Sequence, residues 1–416
     1  MRGCLLACTA LTTLAAGGVA HAQWDVSVGG FHRQWFGYGG NNDDLRLQSF
    51  DQWSNSEIYF RGRNVLDNGI TFGFHVELEA NTVGDQIDES YLYIQSADLG
   101  RFQLGSENSA GYQLQVVGPE TGLPINTGSQ TQHVANPTSS GLFRTPFGST
   151  LIEPAGDNDG QKITYFTPRY EGFQFGISYL PDIDPTGGDT NALVVDDTVG
   201  RYGQGVSAGL NFERSFGPVD VALSGSVFWA EGPNGQFDFT DAYGFNAGAG
   251  EGITRSLGED FWAWSTGASV SWAGFTVGGS YAKVEEGRLT TVNTAPSTVA
   301  GVSSDEGNGW EVGVAYETGP WQFGVEYYQG VASGVLNIPD NNFHQSVSAG
   351  VRYDLADGVT LVGSVGAVEF AAEGDNLRRG GTPTPNIGGS TSVIRGNNGV
   401  DDNSGVFVTG GVLLSF

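Results

Sequence analysis

Most of the chain alternates apolar and polar residues with a period of two. In one segment, Trp321, Phe323 and Val325 fall on one face, and Gln322 and Glu326 fall on the other. A period of two is that of a β-strand, and apolar residues on one face alone indicate that the two faces meet different surroundings. The pattern returns in segments of about ten residues, among them 70–79, 173–179, 219–229, 262–272 and 310–317.

The connections between these segments form two sets that alternate along the chain. Seven are short and carry a glycine: 66–69, 97–100, 170–172, 216–218, 272–274, 317–320 and 355–358. Eight are polar, and most are long and acidic: 39–54, 81–85, 106–159, 181–200, 232–258, 287–306, 332–340 and 373–403. Together they join 16 strands. Short turns at one rim and long loops at the other are typical of outer-membrane β-barrels, whose closure leaves no unpaired strand edge in lipid.

We therefore predict an all-β fold, a 16-stranded antiparallel transmembrane β-barrel with short periplasmic turns and long extracellular loops. Composition excludes two other classes of protein. There are 46 acidic and 18 basic residues, and the only lysines are Lys162 and Lys283, so the chain lacks the bases that neutralise nucleic-acid phosphates. No run of about 18 apolar residues follows Gln23, which excludes transmembrane helices.

The first 22 residues differ from the rest and predict a cleaved signal peptide. Arg2 precedes an apolar stretch, and Ala20 and Ala22 place small residues before a cleavage site at Gln23. The barrel then spans residues 23–416. Cys4 and Cys8 both lie in the removed segment, so we expect neither disulfides nor thiol chemistry in the mature chain.

Aromatic residues and the C-terminus support an outer-membrane location. Trp272 and Trp321 lie beside short turns, and Trp229 and Trp310 lie near long loops, as expected for girdles at two lipid headgroup levels. The last segment alternates and ends on Phe416. That ending is similar to the terminal strand that the barrel-assembly machinery of Gram-negative bacteria recognises. We expect a protein of the outer membrane, in contact with lipid and lipopolysaccharide.

Four segments carry a resemblance to a known family. They are 24–30 (WDVSVGG), 34–38 (QWFGY), 91–94 (YLYI) and 100–110 (GRFQLGSENSA). With the whole mature length, they resemble the Gram-negative general porins, particularly the α-proteobacterial type. The resemblance implies a trimeric barrel whose third loop, residues 106–159, folds inward as a constriction. We call this segment the inward loop.

Two features of the loops bear on that resemblance. Residues 118–122 (GPETG) are similar to the Pro-Glu turn of some porin constriction loops. The second loop, 81–85, is too short to act as the latch between subunits of enterobacterial porins. A homotrimer stays the expectation.

Strand parity points several basic side chains into the barrel: Arg33, Arg61, Arg63 and Arg101, with His75 nearby. In the resembling porins a basic wall cluster faces acids on the inward loop, and the field between them sorts solutes. The acids here would be Glu107 and Glu120, with Glu153, Asp157 and Asp159 as further candidates. Alternatively, Arg61 and Arg63 form salt bridges with Glu57, Glu77, Glu79 or Glu89.

These features predict a general diffusion porin, a passive channel for small hydrophilic solutes and ions with a mild preference for cations, and not an enzyme. A channel specific for sugars or organic ions is the alternative, because Phe31, Trp35, Tyr91 and Tyr93 also have inward parity. No catalytic residue, metal site or cofactor is predicted. Acidic pairs at 43–44, 196–197, 305–306 and 401–402 leave open a Ca²⁺ site in the loops.

Overall fold

The computed structural model describes residues 24–42, 47–80, 87–138, 142, 144–152, 160–183, 203–232, 260–286, 289–292, 301–304, 306–333, 341–372 and 402–416. Its strands are β1 (Asp25–Gly39), β2 (Phe50–Val65), β3 (Thr71–Glu79), β4 (Ile87–Ser96), β5 (Gly100–Ser106), β6 (Gln161–Phe166), β7 (Phe173–Asp182), β8 (Gly203–Phe216), β9 (Val219–Glu231), β10 (Phe261–Trp272), β11 (Phe275–Glu286), β12 (Leu289–Val292), β13 (Gly301–Ser304), β14 (Gly307–Thr318), β15 (Trp321–Ser333), β16 (Asn341–Ala356), β17 (Val359–Ala372) and β18 (Asn403–Ser415).

Sixteen of these strands form one closed antiparallel barrel, which confirms the predicted fold. β12 and β13 form a separate two-stranded sheet within the loop 287–306, which the sequence pattern had not revealed. The barrel closes between its first and last strands, where Phe31 lies opposite Ser415. Backbone hydrogen bonds of 3.0 and 3.1 Å between Gly30 and Phe416 extend this seam to the final residue.

The two faces of the barrel wall differ as the alternation predicted. On the outside, the side chains of Phe323 and Val325 are exposed, with 46% and 54% of their surface accessible. Glu326 and Tyr328 on the same strand have the opposite parity, so they point into the barrel and are buried. Apolar residues therefore lie on the outside and polar residues face the interior, the arrangement of outer-membrane barrels.

Helical structure in the described residues is confined to the inward loop. It comprises α1 (Ala110–Gln113) and two 3₁₀ turns, Ile125–Thr127 and Ser129–Gln132. No helix in the described part of the chain has the length and hydropathy needed to cross a membrane.

The wall is not equally tall around the barrel. β5 has 7 residues and β6 has 6, whereas β2 has 16. With a rise of about 3.4 Å per residue and a tilt of about 40°, β5 and β6 reach on the order of 15–18 Å along the membrane normal. An apolar band of about 25 Å exceeds that height. The wall around β5 and β6 is therefore too low to span the hydrocarbon region through its strands alone.

Val325 tests the lipid-facing assignment. It lies mid-height on β15, opposite Val314 and Ala349. Arginine at this position should destabilise the barrel by about 2–4 kcal/mol, because a charge would enter the centre of the bilayer. Val359→Arg is the matched control, since Val359 begins β17 beside a short turn and should cost only about 0–1 kcal/mol. Urea unfolding in lipid vesicles measures both, and equal costs would contradict the assignment.

Candidate functional site

The first half of the inward loop crosses the inner face of the wall from β7 to β17. Backbone N–H groups of the loop donate to hydroxyl groups of the wall: Ala110 to Ser178 (2.8 Å), Gly111 to Ser207 (3.0 Å), Val116 to Ser224 (2.8 Å) and Leu123 to Ser364 (3.0 Å). Between them, the N–H of Gly118 donates to Oε1 of Glu311 at 2.5 Å. Five backbone N–H groups of the loop thus find acceptors on the barrel wall.

Gly267 on β10 allows one close approach along this path. A Cβ atom at this position would lie 1.7 Å from the carbonyl oxygen of Val116. No side chain larger than hydrogen fits in that space, so any substitution displaces the loop from the wall. The glycine therefore fixes how closely the loop can follow β10.

The second half of the loop is anchored by an apolar cluster inside the barrel. Leu123, Ile125 and Phe147 of the loop pack with wall residues of β1, β15, β17 and β18. These include Trp35, Tyr328, Val362, Val368, Phe370 and Phe407. Polar contacts add to the cluster. The hydroxyl of Tyr328 donates to the carbonyl of Pro146 at 2.6 Å, and Nδ1 of the buried His344 lies 2.9 Å from the carbonyl oxygen of Phe147.

This anchoring leaves the wall from the periplasmic half of β1 through β5 facing the lumen. Arg33, Arg61 and Arg63 are exposed there, and Arg101 is half-buried. All four point inward, as strand parity predicted. We call this wall the arginine wall (β1–β5), and the space between it and the inward loop is the candidate passage.

Three of the four arginines lie over aromatic rings. The guanidinium carbon is 4.2 Å from the ring centroid for Arg33 over Phe31, 4.6 Å for Arg61 over Tyr59, and 4.4 Å for Arg101 over Tyr93. Cation–π attraction holds a guanidinium in place without neutralising its charge. Among the described residues, none of these three arginines forms an ion pair with a carboxylate.

Arg63 differs because it pairs with Asp25 at 3.1 Å, and both side chains are exposed. Asp25 was not among the four glutamates that the sequence suggested as salt-bridge partners. Arg61 instead donates from Nε to Nδ1 of His75 at 3.2 Å. The structure therefore contradicts the salt-bridge alternative for Arg61 and Arg63, since neither is paired with Glu57, Glu77, Glu79 or Glu89. An exposed pair such as Arg63–Asp25 stabilises little, by at most about 1 kcal/mol.

His75, Glu77 and Glu89 place one imidazole and two carboxylates within metal-binding distance of one another. The hydrogen bond from Arg61 requires a lone pair on Nδ1 of His75, so the ring proton lies on Nε2. Nε2 is 2.5 Å from Oε1 of Glu77 and donates to it. The imidazole also stacks on Tyr91 at 5.4 Å. This donor set holds a proton at the position that a metal ion would occupy.

The side chains of Glu107 and Glu120, the two acids predicted on the inward loop, are both buried. Glu107 is buried, its carbonyl accepts a hydrogen bond from Lys162, and its Oε1 accepts one from the N–H of Asn108 at 3.1 Å. Burial raises the pKa of Glu107, although a hydrogen bond from Tyr91 opposes the shift. The sequence had suggested that the Glu107 carboxylate faces the basic cluster. In the structure this carboxylate packs against β4 and is buried.

Glu120 sits between the loop and the wall. Burial raises its pKa to about 7, and the Glu311 carboxylate adds to the shift while Arg33 opposes it. Oε1 of Glu120 is buried without a hydrogen-bond partner in the described part of the chain. No hydrogen bond or ion pair joins Glu120 to the arginine wall among the described residues, so the predicted pairing of a loop acid with that wall stays a prediction.

Arg144 is a member of this site that strand parity could not reveal, because it lies on the loop. Its Nη1 donates to Oδ1 of Asn108 at 2.7 Å, and its guanidinium covers the ring of Tyr112 at 4.6 Å. Asn108 in turn donates to Glu89 at 2.6 Å. Arg144 also adopts a left-handed backbone conformation (φ 51°). The signal available in the sequence was that 106–159 contains no other lysine or arginine.

Several predictions have other outcomes. Trp35 does not belong to a solute-exposed aromatic track, because it is only 2% exposed and stacks on Trp53 beneath the loop. Phe416 joins the closing seam through its backbone, and its role in assembly stays a prediction. Residues 1–22, Glu153, Asp157, Asp159 and most of the acidic pairs suggested for Ca²⁺ lie outside the described residues.

Comparison with known proteins decides the family. The sequence profile of the Gram-negative porin family matches residues 7–372. The chain belongs to the Gram-negative porins. Its location is accordingly the outer membrane. Two uncharacterized Rickettsia proteins agree with the α-proteobacterial type: one of Rickettsia bellii is 28% identical over 150 residues, and one of Rickettsia conorii is 24% identical over 214 residues. The alignments cover 32% and 40% of this porin, and 34% and 48% of those relatives.

Solved structures show the same fold at low identity. An anion-selective porin from Comamonas acidovorans has a TM-score of 0.53 at 16% identity, over 94% of this chain and 100% of that one. OmpT of Vibrio cholerae in its trimer form has a TM-score of 0.53 at 13% identity, over 94% of this chain and 99% of that one. Salmonella typhi OmpF in complex with daunomycin has a TM-score of 0.53 at 13% identity, over 94% of this chain and 97% of that one.

We predict that the titration of Glu120 makes ion permeability depend on pH. Because its pKa is about 7, lowering the pH from about 8 to about 6 should neutralise it and reduce the ratio of cation to anion permeability. The folded-state pKa lies above the ordinary value of 4.5, so the ionised form weakens the packing of the loop, and stability rises as pH falls through about 7. Reversal potentials in a KCl gradient at both pH values measure the permeability ratio.

Glu120→Gln should reduce this pH dependence. Glu171→Gln is the matched control, because Glu171 lies at a short turn and pairs with Arg214 at 2.9 Å. A Glu120→Gln channel with the pH dependence of the natural protein would show that another group titrates.

Proposed function

We propose that this porin is a passive, water-filled channel for small hydrophilic solutes and ions, without enzymatic activity. The observation that carries the proposal is the placement of the inward loop. It is attached mainly to the wall from β6 to β18, with further contacts at Trp35 of β1 and at β4, and it leaves Arg33, Arg61 and Arg63 of the arginine wall exposed to the lumen. A loop that filled the lumen evenly would block it, whereas a loop held to one side narrows it. Family membership and the closed barrel support the same function.

We further propose a mild preference for cations. Arg63, Arg169 and Arg352 each lie within 4 Å of a carboxylate, from Asp25, Glu213 and Asp354 respectively. The charges of these three arginines are thus partly offset, and the unpaired arginines of the arginine wall are opposed by the 46 acidic residues of the sequence, many of them in the long loops. A surface of one sign concentrates counter-ions at the entrance, and here those counter-ions are cations.

The arginine wall should limit this preference. Replacing Arg61 and Arg63 together by alanine removes two positive charges from the passage, so the reversal potential in a KCl gradient should shift further toward that of a cation-selective channel. Arg352→Ala is the control, because Arg352 lies on β16 near the periplasmic rim, outside the arginine wall, and is paired with Asp354. An unchanged reversal potential in the double variant would contradict a role for Arg61 and Arg63 in the constriction.

We also propose that three copies associate through the face formed by β1–β6. The low strands β5 and β6 need cover from lipid. Beyond β4 and β3, the outer face of β1 and β2 is apolar toward its ends but carries polar groups in mid-strand: His32 and Ser56 are hydrogen-bonded at 2.6 Å, and Gln34 donates to the carbonyl of Trp53 at 3.1 Å. Polar groups at this depth are costly in lipid. A second copy of the chain gives them a protein environment.

Ser56→Trp should disrupt this association, because a bulky ring on the outer face of β2 would separate the copies. Ala268→Trp is the control, since Ala268 is an exposed small residue on the outside of β10, which is diametrically opposite in the strand order. Light scattering of the detergent-solubilised protein gives the mass of each assembly. Trimers retained in the Ser56 variant, or lost in both variants, would contradict the interface.

A further inference from the structure

A pocket opens on the periplasmic side of the inward loop, in the corner between β4–β7 and α1. Its volume is about 470 Å³, which is within the range of small-molecule sites. Gln95, Arg101, Gln103 and Gln113 contribute polar groups, and Leu114 and Phe166 form an apolar floor. The pocket belongs to neither the loop anchor nor the acids described above.

The charge of the pocket is unusual for this chain. Its lining includes Arg101 and Arg169 but no aspartate or glutamate, although acids outnumber bases 46 to 18 in the sequence. The guanidinium of Arg169 already has partners within the protein, because it donates to the carbonyl of Gly172 at 2.8 Å and lies 3.4 Å from the carboxylate of Glu213. Arg101 is therefore the available cation.

Arg101 is held ready for an acceptor. Tyr93 supports its guanidinium, and Nε of Arg101 is buried without a hydrogen-bond partner among the described residues. A buried unsatisfied donor on a charged group costs free energy unless a ligand supplies the acceptor. The planar guanidinium matches a carboxylate in two parallel hydrogen bonds.

The amides surrounding Arg101 indicate what else the ligand carries. Gln95 lies directly opposite Arg101 on β4, and Gln113 donates to Gln103 at 3.3 Å, which orients both amides. An amide both donates and accepts hydrogen bonds, as a hydroxyl group does. The volume exceeds what a simple carboxylate such as acetate needs, and the apolar floor suits the C–H face of a ring.

We propose that this pocket binds hydroxyl-rich monocarboxylates of hexose size, that is, sugar acids, as they pass through the channel. Arg101 holds the carboxylate, and the glutamine amides hold the hydroxyl groups. The inference rests on the proposed channel function and names a class of solute for it. It gives a physical basis to the alternative of a substrate-preferring channel, at a site other than the aromatic track first suggested.

Single-channel recording with added D-glucuronate tests the pocket. The purified full chain is recorded in planar bilayers at about 0.1 M KCl, where charge interactions are only partly screened. D-Glucuronate should reduce the current saturably. Uncharged D-glucose and acetate should each block at least about tenfold more weakly, because each lacks half of the recognised groups.

Arg101→Gln should weaken the glucuronate block by about tenfold. Arg352→Gln is the matched control, since it removes a lumen-facing arginine elsewhere and should leave the block unchanged. Gln95→Leu provides a second variant, with an expected weakening of about threefold. Equal block by glucose and glucuronate, or an unchanged block in Arg101→Gln and Gln95→Leu channels that conduct normally, would overturn the pocket. Absence of any conductance from the natural protein would instead overturn the channel function.

Discussion

The structure depends on one constraint, that every backbone N–H and C=O group in the hydrocarbon region must have a partner inside the protein. An open sheet would leave two unsatisfied edges, and the pairing of β1 with β18 removes both. Closure then separates the two faces of each strand. Residues such as Val325 meet lipid, residues such as Glu326 meet the interior, and the interior stays polar.

A related constraint acts on the inward loop, because backbone groups that are buried against the wall also need hydrogen-bond partners. Wall serines and Glu311 accept hydrogen bonds from backbone N–H groups of the loop, and an apolar cluster around Phe147 and Tyr328 anchors the second half of the loop. The attachment is one-sided. In the proposed channel, this attachment sets the position of the passage and leaves the arginines held on Phe31, Tyr59 and Tyr93 to line it.

Sequence periodicity predicted the fold because strand parity is a local property. It assigned Arg33, Arg61 and Arg101 to the interior and Phe323 to the exterior, and it counted the strands. It did not predict the hairpin of β12 and β13. The contacts of the inward loop are non-local, so the burial of Trp35, the shielding of Glu107 and Glu120, and the part played by Arg144 could not follow from alternation. Such features depend on which wall the loop meets.

Cysteine accessibility tests most directly whether water lies inside this barrel and lipid outside. Cys4 and Cys8 lie in the predicted signal peptide, so a mature chain carrying Tyr59→Cys or Val325→Cys has one thiol. A charged methanethiosulfonate reagent is added while single-channel conductance is recorded. Modification at position 59 should lower the conductance, and position 325 should not react, because a lipid-facing thiol stays un-ionised. Reaction at position 325 with a fall in conductance, or no effect at position 59, would contradict the channel.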